Sequence, residues 1–330
     1  MNQPLKTAVL LTGAAARISQ EVAMFDQLCL QKGLKVSQED TLLAGFSSGS
    51  LNLAAINACF ANGSQLNWDT YYKQEVLFKL RNSDVYIIDE LPFDTKPLRV
   101  TVQKFVDRMN CKIVGDLPFN SSILTFSYRE LKTLWACSRN EGQQHINITD
   151  MFMASTAIPI VFPWQQIHCE PGYQMDFPDG HFADGGTGGA FKRFDSSIGE
   201  YVRNNGQFDN MYIISPMREK SQSVHKAFLE LANANNHKGA DMSELLEHLK
   251  NISMSTFMKF LDELYSWKYN GLPMAKNIFI SIPEMPENFP IIDFDVQEKQ
   301  YNAVTDWVKN NPSKLAVPIE QFINEHQDLA

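Results

Sequence analysis

Short apolar runs alternate with stretches of helical period along the first sixty residues. Residues 6–12, KTAVLLT, read as a buried parallel strand: short, apolar and ended by Gly13. Over residues 19–32, Val22, Met24, Phe25, Leu28 and Leu30 recur at roughly helical spacing, and Gly33 closes the segment. Residues 41–44 form a second strand pattern and 51–60 a second helix. A β-α-β-α opening predicts a parallel sheet covered by helices.

The pattern is less regular from 61 to 115, where helix-like pieces at 68–80 and 100–109 flank the turn-rich DELPFDTKP. Further strands are predicted at 122–128, 211–215 and 277–282, and a last helix at 297–310 stops at NNP. Residues 219–269 are almost wholly helical in pattern and read as an insertion between two late strands. Met254, Phe257, Met258, Phe260, Leu261, Leu264, Tyr265 and Trp267 in that stretch fit ordinary packing on the core, or else an apolar cover or interfacial patch. With no Pro/Ser-rich linker, charge block or internal repeat, the expected organisation is one domain, 1–330, with a helical elaboration near 219–269.

Composition narrows the class. A chain of 330 residues that is 44% hydrophobic can bury a large core. Cys29, Cys59, Cys111, Cys137 and Cys169 are an odd, dispersed set without a CxxC pair, which argues against a disulfide framework or zinc cluster. The N-terminal apolar run is too short for a secretory signal, and no stretch approaches the roughly 18 apolar residues of a membrane span. The expectation is a soluble, cytoplasmic protein, although signal-independent export leaves no such trace. A net charge of −9 gives no basic footprint for nucleic acid.

Candidate chemistry gathers at turns. Gly45-Phe46-Ser47-Ser48-Gly49 fits GxSxG with a strand before it and a helix after it, the context in which a serine is held on a sharp, strained turn. Its hydroxyl then stands at a helix N-terminus, whose unpaired amides favour developing negative charge. The turn after the first strand, Gly13-Ala14-Ala15-Ala16-Arg17, should emerge on the same carboxyl edge of the sheet, where small residues let amides face an oxyanion. Asp184, followed by Gly185 and Gly186, can be a turn former or the base a serine needs.

Together, GAAAR (13–17), GFSSG (45–49), ASTAIPIVFP (154–163) and DGG (184–186) resemble the ordered motifs of the patatin-like phospholipases over about residues 6–190. The resemblance implies a three-layer α/β/α fold with a mostly parallel central sheet, a patatin-like variant of the α/β-hydrolase type. It implies a Ser47–Asp184 dyad, with oxyanion donors among Gly13, Ala14, Ala15 and Ala16, and Arg17, Gly45, Gly49, Gly185 and Gly186 in support. The substrate would be a phospholipid or related ester, reached through transient membrane-surface contact, with no cofactor and no metal. Calcium dependence has no support in the sequence.

The sequence departs from that pattern at Ala14 and Ala15, where glycines are usual, at Ile18 after the arginine, and in TGGAF (187–191) in place of Asn-x-Pro. If either alanine must take φ > 0, the cost is on the order of 1 kcal/mol. Three other readings compete. A catalytically weak or silent lipid- or protein-binding scaffold draws on the substituted loop. A short-chain dehydrogenase draws on TGAAARI and on Tyr128 and Lys132 as YxxxK, but Arg17 and Ser19 stand where glycines would be needed. A Ser-Asp-His triad would need a late histidine such as His326, which reads as part of a solvated tail, and would place its nucleophile after several strands, whereas Ser47 follows one strand-helix unit; His168 and His181, near Asp184 in sequence, read as loop-surface residues.

Overall fold

A computed structural model describes residues 4–88, 92–159, 161–173, 180–187, 197–217, 254–285, 287 and 289–327. Strand β1 (Thr7–Leu11) passes through a 3-10 turn at Ala15–Arg17 into helix α1 (Ile18–Lys32), closed by Gly33 in the left-handed conformation. Strand β2 (Thr41–Gly45) and helix α2 (Ser48–Phe60) repeat the unit, and β1 and β2 pair in parallel from Thr7↔Thr41 to Leu11↔Gly45. Both strands are covered on two faces, which is why they read as continuous apolar runs. Val9, Leu11 and Leu43 point into one core layer, and Ala8, Leu10, Leu42 and Ala44 into the other.

Next come a π-helical segment Trp68–Leu77, α3 (Lys96–Met109), β3 (Asn120–Ser127), β4 (Lys132–Cys137), α4 (Ile148–Ser155) and β5 (Phe182–Asp184). The chain continues with α5 (Ile198–Asn205), β6 (Phe208–Ile214), α6 (Met254–Ser266), β7 (Ala275–Ser281), α7 (Gln297–Asn310), β8 (Val317–Pro318) and α8 (Ile319–Glu325). One eight-stranded sheet runs β4-β3-β2-β1-β6-β7-β8, with β5 also paired to β3. Strands β1, β2, β3, β6 and β7 are parallel to one another, and β4, β5 and β8 run against them. Helices α1, α2, α3, α4 and α7 pack on one face and α5, α6 and α8 on the other, giving three α/β/α layers.

One register positions the site. β2 pairs with β3 up to Gly45↔Ile123, and β5 pairs with β3 from Ser127↔Phe182 to Thr125↔Asp184. Because β4 occupies the opposite edge of β3 over the same residues, β2 and β5 share one edge and meet end to end. Gly45 and Asp184 are therefore two β3 residues apart, about 7 Å along the strand.

Several elements differ from the sequence pattern. α2 starts at Ser48, three residues earlier than its apolar period, because the tight turn feeds the chain directly into the helix. The 68–80 piece is π-helical rather than α-helical over Trp68–Leu77. Tyr128 and Lys132 lie in the β3–β4 hairpin, so the four-residue spacing that would align them on a helix has no such effect. Within the late helical stretch, α6 buries Met254, Phe257, Met258, Phe260, Leu261 and Leu264 as ordinary core, with Tyr265 exposed. Residues 219–253 of that stretch lie outside the described residues.

Candidate active site

Ser47 is the corner between β2 and α2. Its φ of 53° and ψ of −143° lie in a region that residues with a Cβ rarely occupy, and the surrounding bonds hold it there. Its N–H donates to the Ser155 carbonyl at 3.0 Å, and its carbonyl accepts the Ser50 N–H at 3.0 Å and the Ser50 hydroxyl at 2.7 Å. The corner needs backbones in near contact: a Cβ on Gly49 would stand 2.3 Å from the Leu11 carbonyl oxygen. Gly13, at φ 64°, faces Gly49 and Ser48 just as closely. The β1 and β2 turns are therefore packed backbone to backbone, and Gly45 sits against the Gly49 carbonyl in the same junction.

Asp184 comes to this corner from β5. Its N–H donates to the Ala157 carbonyl at 2.8 Å, and the next amide, Gly185, donates to Ser155 at 3.4 Å. The turn after α4 therefore braces Ser47 and Asp184 at once, while the Ser155 hydroxyl donates to the Leu124 carbonyl on β3 at 2.6 Å. Ser155 and Ala157 both lie in the ASTAIPIVFP motif, which is the signal in the sequence for this brace. Gly185 packs against Leu124 and Phe46, leaving no room for a side chain.

The Asp184 carboxylate is buried, and its oxygens differ. Oδ1 accepts the Gly186 N–H at 2.7 Å. Oδ2 has no hydrogen-bond partner. Burial pushes the acid up to about 7, an effect that the Gly186 amide and the nearby Ser47 hydroxyl partly offset. The Ser47 hydroxyl is thus the neighbouring donor to a carboxylate whose Oδ2 has no other hydrogen-bond partner.

In the β1 turn, three of the four predicted oxyanion donors are already engaged. Gly13 N–H donates to Glu21 Oε1 at 2.9 Å, Ala14 N–H to the Ser48 hydroxyl at 3.1 Å, and Ala16 N–H to the Ile291 carbonyl at 2.8 Å. The Ala15 and Ser48 amides make none of these bonds, and both residues line the same pocket as Ser47. Ala15 is the alanine that takes the glycine-like conformation, φ 48°, whereas Ala14 at φ −166° is extended. The buried Arg17 guanidinium braces the loop from outside, donating to the Phe289 carbonyl at 2.8 and 3.0 Å and to the Pro216 carbonyl at 3.4 Å.

The pocket is almost wholly apolar. From Ala15, Ser47 and Ser48 it runs between α2, the π-helical segment, α3 and α4, past Ile18, Leu51, Val76, Val102, Phe105 and Phe152. Tyr72 on its wall is buried and donates to Asn52 Oδ1 at 2.5 Å.

The histidines belong elsewhere. His326 is not on a solvated tail: it stacks on Phe322, its Nε2 is 3.0 Å from Glu284 Oε1, and it follows β8, which β1, β6 and β7 separate from β2. His168 pairs with Asp150 at 2.6 Å, and His181 stacks against Trp164. Among the described residues no group of three His, Cys, Asp or Glu side chains could hold a metal ion, and no helix is long and apolar enough to cross a membrane.

No family model matches the chain, and no curated protein matches it. Among solved structures, VipD from Legionella pneumophila is similar over 93% of this chain and 67% of that one, with 11% sequence identity and a TM-score of 0.33. A likeness at that level transfers no site.

Proposed function

We propose that the protein is a serine ester hydrolase of patatin type, acting on lipid esters through Ser47 and Asp184. The supporting observation is the conjunction at one corner: a strained serine lining an apolar pocket, beside a buried carboxylate with one oxygen unpartnered. In this reading the Ser47 hydroxyl attacks the ester carbonyl carbon as its proton passes to Asp184 Oδ2. The Ala15 and Ser48 amides receive the oxyanion. Collapse breaks the carbonyl–alkoxy bond, Asp184 returns the proton to the departing alcohol, and the acyl group stays on Ser47. Water, deprotonated by Asp184, then attacks the acyl carbon, the bond to Ser47 Oγ breaks, and Asp184 returns the proton to Ser47 as the acid leaves.

The pocket favours an acyl chain over a polar substituent, because its wall offers little beyond carbon to pair with a buried polar group. An Asp base suits this chemistry only if its proton affinity is raised, and burial supplies that. The second reading, a silent binding scaffold, draws on the three engaged loop amides. Hydrolysis of a fatty-acyl ester by wild type, Ser47→Ala and Asp184→Ala separates the two: activity in wild type alone supports the dyad, and equal rates in all three remove it.

A further inference from the structure

We propose that Glu21 is a positioning residue of this hydrolase: its carboxylate anchors the β1 turn through the Gly13 amide and, by way of Asn52 and Tyr72, ties that turn to the acyl-pocket wall. The inference rests on the reading of Ser47 as nucleophile. Glu21, Asn52 and Tyr72 are all buried, and together they form an unbroken chain of hydrogen bonds. Glu21 Oε1 accepts the Gly13 N–H at 2.9 Å, and Oε2 accepts from Asn52 Nδ2 at 2.6 Å. Asn52 Nδ2 also donates to the Ile18 carbonyl at 3.1 Å, and Asn52 Oδ1 accepts the Tyr72 hydroxyl at 2.5 Å.

Each donor and acceptor has one role to play. An ionised carboxylate only accepts, so Asn52 must turn its NH2 toward Glu21 and Ile18 and its oxygen toward Tyr72. A proton on Oε2 would set donor against donor, so Asn52 would have to flip, turning Tyr72 from donor to acceptor and leaving the Ile18 carbonyl without its Asn52 bond. Gly13 is the hinge of the turn, with a left-handed φ and its Cα against the Ser48 and Gly49 amides, so the bond to its N–H sets where the next amides point. The Ala15 amide, two residues on, is one of the two left for the oxyanion.

Burial raises Glu21 to about 7, against the opposing pull of Asn52 and the Gly13 and Thr12 backbone. The ionisable group facing it from a packed element is Tyr72 on the π-helical segment, across Asn52. Arg17, on the same turn, points instead to the Phe289 and Pro216 carbonyls. Glu21 and Asp184 therefore titrate in the same range, and each has its own reporter amide: Gly13 for Glu21 and Gly186 for Asp184.

The test is a pH titration of the two amide protons by NMR on the full chain, alongside kcat and KM on a fatty-acyl ester. In wild type both protons should move downfield with midpoints near 7. Glu21→Gln should abolish the Gly13 step, keep the Gly186 step, and lower kcat about 10- to 100-fold with KM nearly unchanged, as for a donor misplaced rather than removed. Tyr72→Phe should keep the Gly13 step and raise KM for long acyl chains more than it lowers kcat. A wild-type Gly13 amide that does not titrate overturns the anchor without recourse to any variant. Ser47-dependent hydrolysis with a wild-type kcat in folded Glu21→Gln overturns the inference alone, whereas absence of Ser47-dependent hydrolysis removes the reading of the site and the inference with it.

Discussion

Two buried carboxylates stand at the carboxyl edge of this sheet, Glu21 behind the β1 turn and Asp184 behind the β5 turn, and they differ in a single respect. Both are pushed up to about 7 by burial. Glu21 has a hydrogen-bond donor on each oxygen, whereas Asp184 has one on Oδ1 and none on Oδ2. A fully satisfied buried acid holds its neighbours in place, and a half-satisfied one keeps an oxygen for chemistry. Elevated proton affinity alone therefore does not identify the base. The proposed assignment of Asp184 rests instead on its unpartnered oxygen beside a strained serine.

Substitution at the two acids should break this symmetry most strongly in rate. Asp184→Asn keeps the Gly186 contact through its amide oxygen but cannot take a proton, so ester turnover should fall at least ~10³-fold, as for Ser47→Ala, with both variants folded. Comparable losses in Asp184→Asn and Glu21→Gln would erase the distinction between base and anchor. In wild type, kcat/KM should climb with pH and level off above about 7, because attack requires ionised Asp184. A profile flat from pH 5 to 8 would exclude a base of that affinity.

Stability should change in the opposite direction with pH. Both acids bind protons more tightly in the folded chain than in the unfolded one, where they ionise near 3.8 and 4.5. Their contribution is complete below those values and is lost as pH rises through about 7. Urea midpoints should therefore decline for wild type between pH 5 and 8. Asp184→Asn and Glu21→Gln should each flatten that decline by on the order of 1 kcal/mol per lost proton and pH unit. A slope unchanged in both variants would mean that neither acid is perturbed.

The smallest effect concerns the substituted loop. Ala15 carries a positive φ and Ala14 does not, so Ala15→Gly should relieve about 1 kcal/mol of strain while Ala14→Gly should cost a few tenths to 1 kcal/mol. Thermal unfolding of the two variants measures the difference, and equal shifts of the same sign would contradict the assigned conformations.

How much of this was legible follows from how local each feature is. β1, β2 and the Ser47 corner could be read because a strand buried on both faces leaves an apolar run and a corner this tight demands glycine at 49. The pairing of Ser47 with Asp184 follows in the sequence from the resemblance alone and not from any local pattern, since it depends on β2 and β5 sharing one edge of β3, and β5 is only three residues long. Glu21 was equally hidden. It lies in a helical pattern where a charged residue reads as solvent-facing, yet α1 is enclosed by α2 and α7, and Ser19, Gln20 and Glu21 are all buried. The turn after β1 was legible as a turn but not amide by amide, because the partners of Gly13, Ala14 and Ala16 lie on α1, on α2 and at Ile291.

The central claim is that Ser47 carries an activated hydroxyl. Reaction with a fluorophosphonate, followed by peptide mass spectrometry across a pH series, tests it directly. The account predicts one adduct, on Ser47, forming faster as pH rises through about 7 and nearly absent in Asp184→Asn. An unlabelled Ser47, or labelling at the same rate with Asn at 184, would contradict it.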